Sequence, residues 1–155
     1  MMHFTKTEVD LYQAAFHTSE LLRGSFEGKR IDFKIEGDSG LTVSGDKRNI
    51  ESVFSNLISN AIKFTPKGGR ITVSFVSQDE FVQASVSDNG IGIPAELHDS
   101  IFSPASKSNR PGTEGEASSG LGLLLCNELI RLHGGRIWFE SEAGLGSTFY
   151  FSLPR

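Results

Sequence analysis

Asn56, Asn60 and Lys63 lie four and then three residues apart in a run whose apolar positions keep helical spacing. At about 100° per residue they fall within about 60° of one another, so they form one polar stripe on a helix. Asparagine oxygens are hard neutral ligands and lysine brings a mobile positive charge, so the stripe suits a hydrated Mg2+ and the phosphates it bridges. It also suits a solvated helix face. Asp88-Asn89-Gly90-Ile91-Gly92 follows a strand pattern. A carboxylate at a strand end can accept a hydrogen bond from an exocyclic amine such as that of adenine, and glycines let a flat ring come close. Many such turns merely end a strand, and this one departs from the dinucleotide fingerprint, with Pro94 and Ala95 following. Gly120-Leu121-Gly122-Leu123 opens a second helix. Its unpaired N–H groups and dipole favour phosphate, although the glycines also fit a flexible cap. Lys107 and Arg110 are the only basic residues in the polar stretch before it. They either reach an outer phosphate or serve solubility. Gly144 to Phe149 precedes the last strand, where Ser147 and Thr148 fit a strand edge or a polar contact to adenine.

Other chemistries are excluded. The four His, at 3, 17, 98 and 133, have no metal-ligand spacing with one another or with Cys126. No nucleophile-elbow motif or P-loop is present. Cys126 ends the run Leu123-Leu124-Leu125 and reads as a small buried apolar residue.

The elements that must position these residues follow from periodicity. Glu8 to Leu11 reads as a short strand, and Leu11, Ala14, Ala15, Thr18 and Leu22 as a helical face that ends at Gly28. Ile31, Phe33 and Ile35 alternate with polar residues, and Leu41 and Val43 suggest a partner strand across the turn Gly37-Asp38-Ser39-Gly40. Asp46 is the expected N-cap of the helix bearing the amide stripe, which stops before Thr65-Pro66. Arg70 to Val76 and Phe81 to Ser87 form an expected antiparallel hairpin, and a short helix runs from about Pro94 to Phe102. Residues 103–119 lack periodicity and hold two Pro, two Gly and five Ser, as a functional lid or a disordered stretch does. A helix from Leu121 to about His133 and strands Arg136 to Glu140 and Ser147 to Leu153 complete the chain. The sum is an α+β two-layer sandwich: a mixed, mainly antiparallel sheet with helices on one face.

Composition agrees with one domain over residues 1–155. The chain weighs 16.9 kDa, is 37% hydrophobic and carries 17 Gly. A net charge of −4 argues against a nucleic-acid backbone as partner. No apolar run approaches the ~18 residues of a membrane span and no signal peptide opens the chain. A cytoplasmic domain without membrane contact is expected.

The order of these pieces resembles the catalytic and ATP-binding domain of bacterial sensor histidine kinases, within the superfamily of gyrase, heat-shock chaperones, histidine kinases and MutL. Asn56 to Thr65 is similar to the N box, and Asp88 to Ile93 to the first glycine box. Ile101-Phe102 resembles the start of the F box, Gly120 to Leu123 the second glycine box, and Gly144 to Phe149 the third. The resemblance implies a Bergerat-type sandwich holding ATP and Mg2+. Asp88 would bond the adenine amine, Asn60 would ligate Mg2+, Asn56 would support metal and phosphates, and Lys63 would contact phosphate. Gly90, Gly92 and Ile93 would flank the adenine, with Phe102 and Leu123 lining the site. Gly120, Leu121 and Gly122 would bring lid backbone to the phosphates, and Ser147 or Thr148 would lie near the base. Hydrolytic members of the superfamily carry a water-activating Glu where this chain has Asn56, which fits a kinase.

Three departures from the family pattern stand out. Of the four His only His98 is followed by an acidic residue, Asp99, and Ser100-Ile101-Phe102 then stands in place of Arg-Thr-Pro, so the phosphoacceptor segment is missing. Ser103-Pro104-Ala105 follows Phe102 where a second aromatic is usual, and Ser118 stands where the second glycine box usually opens with Gly. Met1-Met2 falls almost directly before the first family strand, as in a piece cut from a larger sensor protein. The expected function is transfer of the ATP γ-phosphoryl group to a histidine on the parent's own dimerisation domain, which then serves a response regulator. The isolated chain is expected to be a monomer that does not phosphorylate itself. A non-catalytic nucleotide-binding or interaction module, and a serine kinase of the anti-sigma-factor type, are the alternatives.

Overall fold

The computed structural model describes residues 4–102, 112–114 and 121–155. Seven strands and four α-helices are present among them: β1 Thr7–Asp10, α1 Leu11–Leu21, α2 Arg23–Gly28, β2 Asp32–Glu36, β3 Thr42–Gly45, α3 Lys47–Phe64, β4 Arg70–Gln78, β5 Phe81–Asp88, α4 Gly122–Leu132, β6 Arg136–Glu142 and β7 Gly146–Pro154. A 3-10 turn at Ala95–Ser100 replaces the α-helix expected from Pro94 to Phe102.

α3 is the organising helix. Asp46 caps it as expected, its carboxylate accepting from the Asn49 N–H at 3.0 Å. Ile50, Val53, Phe54, Leu57, Ile58, Ala61 and Ile62 are buried along one face. That face lies on a five-stranded sheet of order β2-β4-β5-β7-β6, parallel between β2 and β4 and antiparallel elsewhere. The sheet presents alternate residues to the helices: Ile71, Val73 and Phe75 from β4, Val82, Ala84 and Val86 from β5, and Phe149, Phe151 and Leu153 from β7. Phe54 meets Phe151 edge-on, with ring centroids 5.3 Å apart, at the centre of the core. α1 and α4 flank α3.

One expectation fails. β2 and β3 do not pair across residues 37–40. β2 runs parallel to β4, and β3 pairs antiparallel with β1 in a separate two-stranded sheet. Gly37 shows why: it takes φ +108°, and a Cβ there would crowd the Phe75 carbonyl oxygen at 3.0 Å. The chain leaves β2 packed tightly against the far part of β4, a path that only glycine permits, and β3 comes to lie against β1 and beside β5 and β7.

Candidate functional site

The end of the sheet beside the C-terminal half of α3 changes character from apolar to polar in one step. Val86, Phe149 and Phe139 are register neighbours on the helix-facing side of β5, β7 and β6. Two residues on, the same side carries Asp88, Ser147 and Ser141, again register neighbours. The alternation of strand side chains therefore puts a carboxylate and two hydroxyls in one row at the rim of the core. Asp88 Oδ1 accepts from the Gly90 N–H at 2.9 Å, which orients the carboxyl group. Ser141 and Ser147 share a hydrogen bond at 2.8 Å, and Ser141 Oγ also accepts from the Ile93 N–H at 2.8 Å. Ser141 thus ties the first glycine turn to the third. It went unread in the sequence because a serine in a strand carries no signal of its own.

The turn after β5 is fastened on every side. The Ile91 N–H donates to Phe64 O at 3.0 Å, the Gly144 N–H to Ile91 O at 2.8 Å, and the Arg70 N–H to Asn89 Oδ1 at 2.7 Å. Gly90 and Gly92 belong to this fastening. A Cβ on Gly90 would run into the Phe64 carbonyl, and one on Gly92 into the Glu142 carbonyl. Their small size serves backbone packing within the protein.

On the opposite wall, Asn56, Asn60 and Lys63 are half-buried along α3, beside its apolar face. Asn56 Nδ2 donates to Ser52 O at 2.9 Å within the helix, which turns Oδ1 toward α4. That oxygen lies 2.8 Å from where a Cβ on Gly122 would sit. The first residue of α4 therefore closes on the amide stripe. No side chain caps α4, so its first-turn N–H groups form the wall opposite Asn56. Asn60 makes no side-chain hydrogen bond among the described residues, and Lys63 borders a hollow of about 490 Å³ shared with Lys29 and Glu114.

The structure sets Gly122 against Asn56, with Asn60 one turn further along α3, sets Asp88 beside Ser147 at the end of the sheet, and sets other expected residues apart. Thr148 lies on the opposite side of the sheet, where its hydroxyl bonds Ser87 Oγ at 2.9 Å, so of the two only Ser147 shares a face with Asp88. Ile93 is buried in the core. Phe102 packs edge-on against Phe139 and Phe149, with centroids 5.9 and 6.2 Å away. Leu123 leans on the core, whereas Leu121 is exposed at the head of α4. Lys107, Arg110, Ser118 and Gly120 lie outside the described residues.

An amide-bearing helix over a mixed sheet, facing a strand-end carboxylate and an uncapped helix N-terminus, defines a nucleotide-binding sandwich of the Bergerat class. Residues 45–155 match the family described as histidine kinase-, DNA gyrase B-, and HSP90-like ATPase. The chain is 41% identical over 150 residues to the adaptive-response sensory kinase SasA of Thermosynechococcus vestitus, covering 95% of this chain and 39% of that one. It superposes on the nucleotide-free catalytic domain of histidine kinase ThkA with a TM-score of 0.83 at 32% identity, covering 97% of this chain and 95% of that domain. ThkA in complex with the response regulator TrrA gives 0.80 at 31% identity, with 97% and 42% covered. The chain belongs to this ATPase family, as a catalytic and ATP-binding domain of the histidine-kinase type. It spans about two fifths of the length of the SasA relative.

Proposed function

We propose that this chain binds ATP with Mg2+ and donates the γ-phosphoryl group to a histidine on a dimerisation domain of its parent protein. The observation that supports this reading is that the turn after β5, beside the Asp88–Ser147 row, is bonded to the end of α3, whose Asn56 meets the head of α4. Asp88, held by the Gly90 N–H, accepts from the adenine amine, with Ser147 beside it. The first-turn N–H groups of α4 and the ammonium of Lys63 take the phosphates.

The donor set fits Mg2+ of the kind that travels with a nucleotide. Among the described residues no group of three His, Cys, Asp or Glu could cage a metal. A neutral oxygen from Asn60, with Asn56 Oδ1 nearby, suits an ion that keeps waters and phosphates as its other ligands. Bound there, Mg2+ supplies charge neutralisation. This chain's own residues position the nucleotide: the acceptor imidazole nitrogen attacks phosphorus, the bond to the β,γ-bridging oxygen breaks, and ADP leaves. Asn56 holds the place of the carboxylate base in hydrolytic relatives and cannot deprotonate water, so the phosphoryl group is kept for the histidine. By analogy with the ThkA–TrrA complex, a response regulator receives it next.

The test mixes this chain with labelled ATP·Mg2+ and, separately, with a dimerisation domain from a close relative added. Acid-labile label on the added domain and none on this chain is expected. Robust phosphohistidine on this chain alone would overturn the division of labour, and acid-stable label on a partner would replace it with a serine kinase. In Asp88→Asn, the preference for ATP over GTP should fall; an unchanged preference would remove Asp88 from the adenine site.

A further inference from the structure

Lys29 is a lysine with its residue only 5% exposed, on the turn that follows α2. Its ammonium donates to the carbonyls of Ile62 at 2.7 Å, Lys63 at 3.2 Å and Thr65 at 3.2 Å, three oxygens at the C-terminal end of α3, the first of which also accepts the Thr65 N–H. A positive charge there caps these carbonyls and opposes the negative end of the helix dipole. The fourth partner is different in kind. Lys29 Nζ also donates to Thr113 Oγ1 at 2.8 Å, although Thr113 lies in the connection between the 3-10 turn and α4. Thr113 Oγ1 in turn donates to Thr65 O at 3.3 Å, and the Thr113 N–H donates to Lys63 O at 2.8 Å. One residue of the connection is therefore held by three hydrogen bonds, two to the end of the helix that carries the amide stripe and one to Lys29.

We propose that Lys29 and Thr113 are positioning residues that tie the connection before α4 to the end of α3, next to Lys63, and so set the phosphate side of the site. In sequence Thr113 stands eleven residues after Phe102 and nine before Gly122. Gly122, at the head of α4, faces Asn56. Fixing Thr113 on the turn that holds Lys63 thereby limits how far the α4 head and the amide stripe can separate. The hydroxyl of Thr113 is the part of the tie that a side-chain change can remove, because its N–H bond to Lys63 O survives any non-proline substitution.

The nucleotide arm of the test rests on the ATP reading above; the exchange arm does not. Without nucleotide, the Thr113 amide of the intact chain should exchange at least tenfold more slowly than in an unfolded chain. In Thr113→Val that amide should exchange about tenfold faster, because the charge-assisted bond from Lys29 and the bond to Thr65 O are both lost, while the urea midpoint stays unchanged because the connection lies off the core. ATP·Mg2+ affinity should fall about fivefold as well, and Thr113→Ser should restore both readings to within twofold. Lys29→Met should show the same exchange and affinity losses together with a lower urea midpoint. Wild-type exchange at the unfolded rate, or Thr113→Val binding ATP·Mg2+ like the wild type, would overturn the proposal. A wild-type chain that binds no ATP, yet shows the protected amide and its loss in Thr113→Val, would overturn the ATP reading and leave the tie standing.

Discussion

At the scale of single residues, the glycines separate into two kinds, and the difference is measurable. Gly90 faces a backbone carbonyl that cannot move aside, that of Phe64. Gly90→Ala should therefore cost about 2 kcal/mol of stability in the absence of any nucleotide, as overpacked sites do, seen as a lower urea midpoint. Gly122 faces the tip of the Asn56 side chain instead, at 2.8 Å. Gly122→Ala should leave the midpoint within about 0.5 kcal/mol but weaken ATP·Mg2+ binding about tenfold by turning the Asn56 oxygen away. Equal stability losses in the two variants would refute the distinction. Sequence reading placed both in glycine boxes and could not separate them, because the neighbours that decide, Phe64 and Asn56, lie 26 and 66 positions away. Cys126, by contrast, was legible from its apolar run alone. Burial pushes its thiol up to about 12, and Sγ donates to Val53 O at 3.8 Å. It should not react with Ellman's reagent at pH 8 until the chain is unfolded.

At the scale of elements, the N-terminus of α3 joins three segments through one carboxylate. Asp46 Oδ2 accepts from the Thr5 N–H at 2.6 Å and Oδ1 from the Asn49 N–H. The Asp46 N–H donates to His133 Nε2 at 3.0 Å, and His133 Nδ1 donates to Leu129 O at 2.7 Å. Burial acts to raise the Asp46 carboxyl, but the N–H groups of Thr5, Asn49 and Arg48, with His133, outweigh it and hold it below the usual carboxylate range. A depressed carboxylate contributes its stability above the unfolded value of about 3.9 and loses it as the pH falls through the folded value. Asp46→Ala should therefore cost about 1–2 kcal/mol at pH 7, and its deficit relative to wild type should shrink as the pH drops below about 4. A deficit that stays constant from pH 7 down to pH 2 would rule out the charged cap. The cap itself was readable in the sequence; the partners Thr5 and His133 were not, because they arrive through the tertiary fold. The same limit explains β2 and β3. Alternation identified each strand, but pairing is a non-local choice, and Gly37 against Phe75 decided it.

At the scale of the whole molecule, the order of boxes along the chain was enough to read the class of fold, and it named the proposed wall residues Asn56, Asn60 and Asp88. What order could not give is that the proposed site has no single owner: α3, the turn after β5, β7 and the head of α4 would each supply one wall. A ligand bound to all four should stabilise the molecule as one cooperative unit, since binding to the folded chain alone adds about 2.7 kcal/mol at one hundred times the dissociation constant. For a domain of this size that corresponds to a rise in Tm of about 5–10 °C. The rise should come in two parts, a smaller one with ATP and a chelator and a further increment when Mg2+ is supplied. Asn60→Ala should abolish the Mg2+ increment and keep the metal-free part, because the adenine wall at Asp88 and Ser147 is untouched and lies on a different element. Asp88→Asn should reduce both parts together, since the phosphates and their ion are placed only as well as the base is held. A full Mg2+ increment in Asn60→Ala would take the ion away from α3, and with it the reading of the amide stripe as the phosphate-side wall.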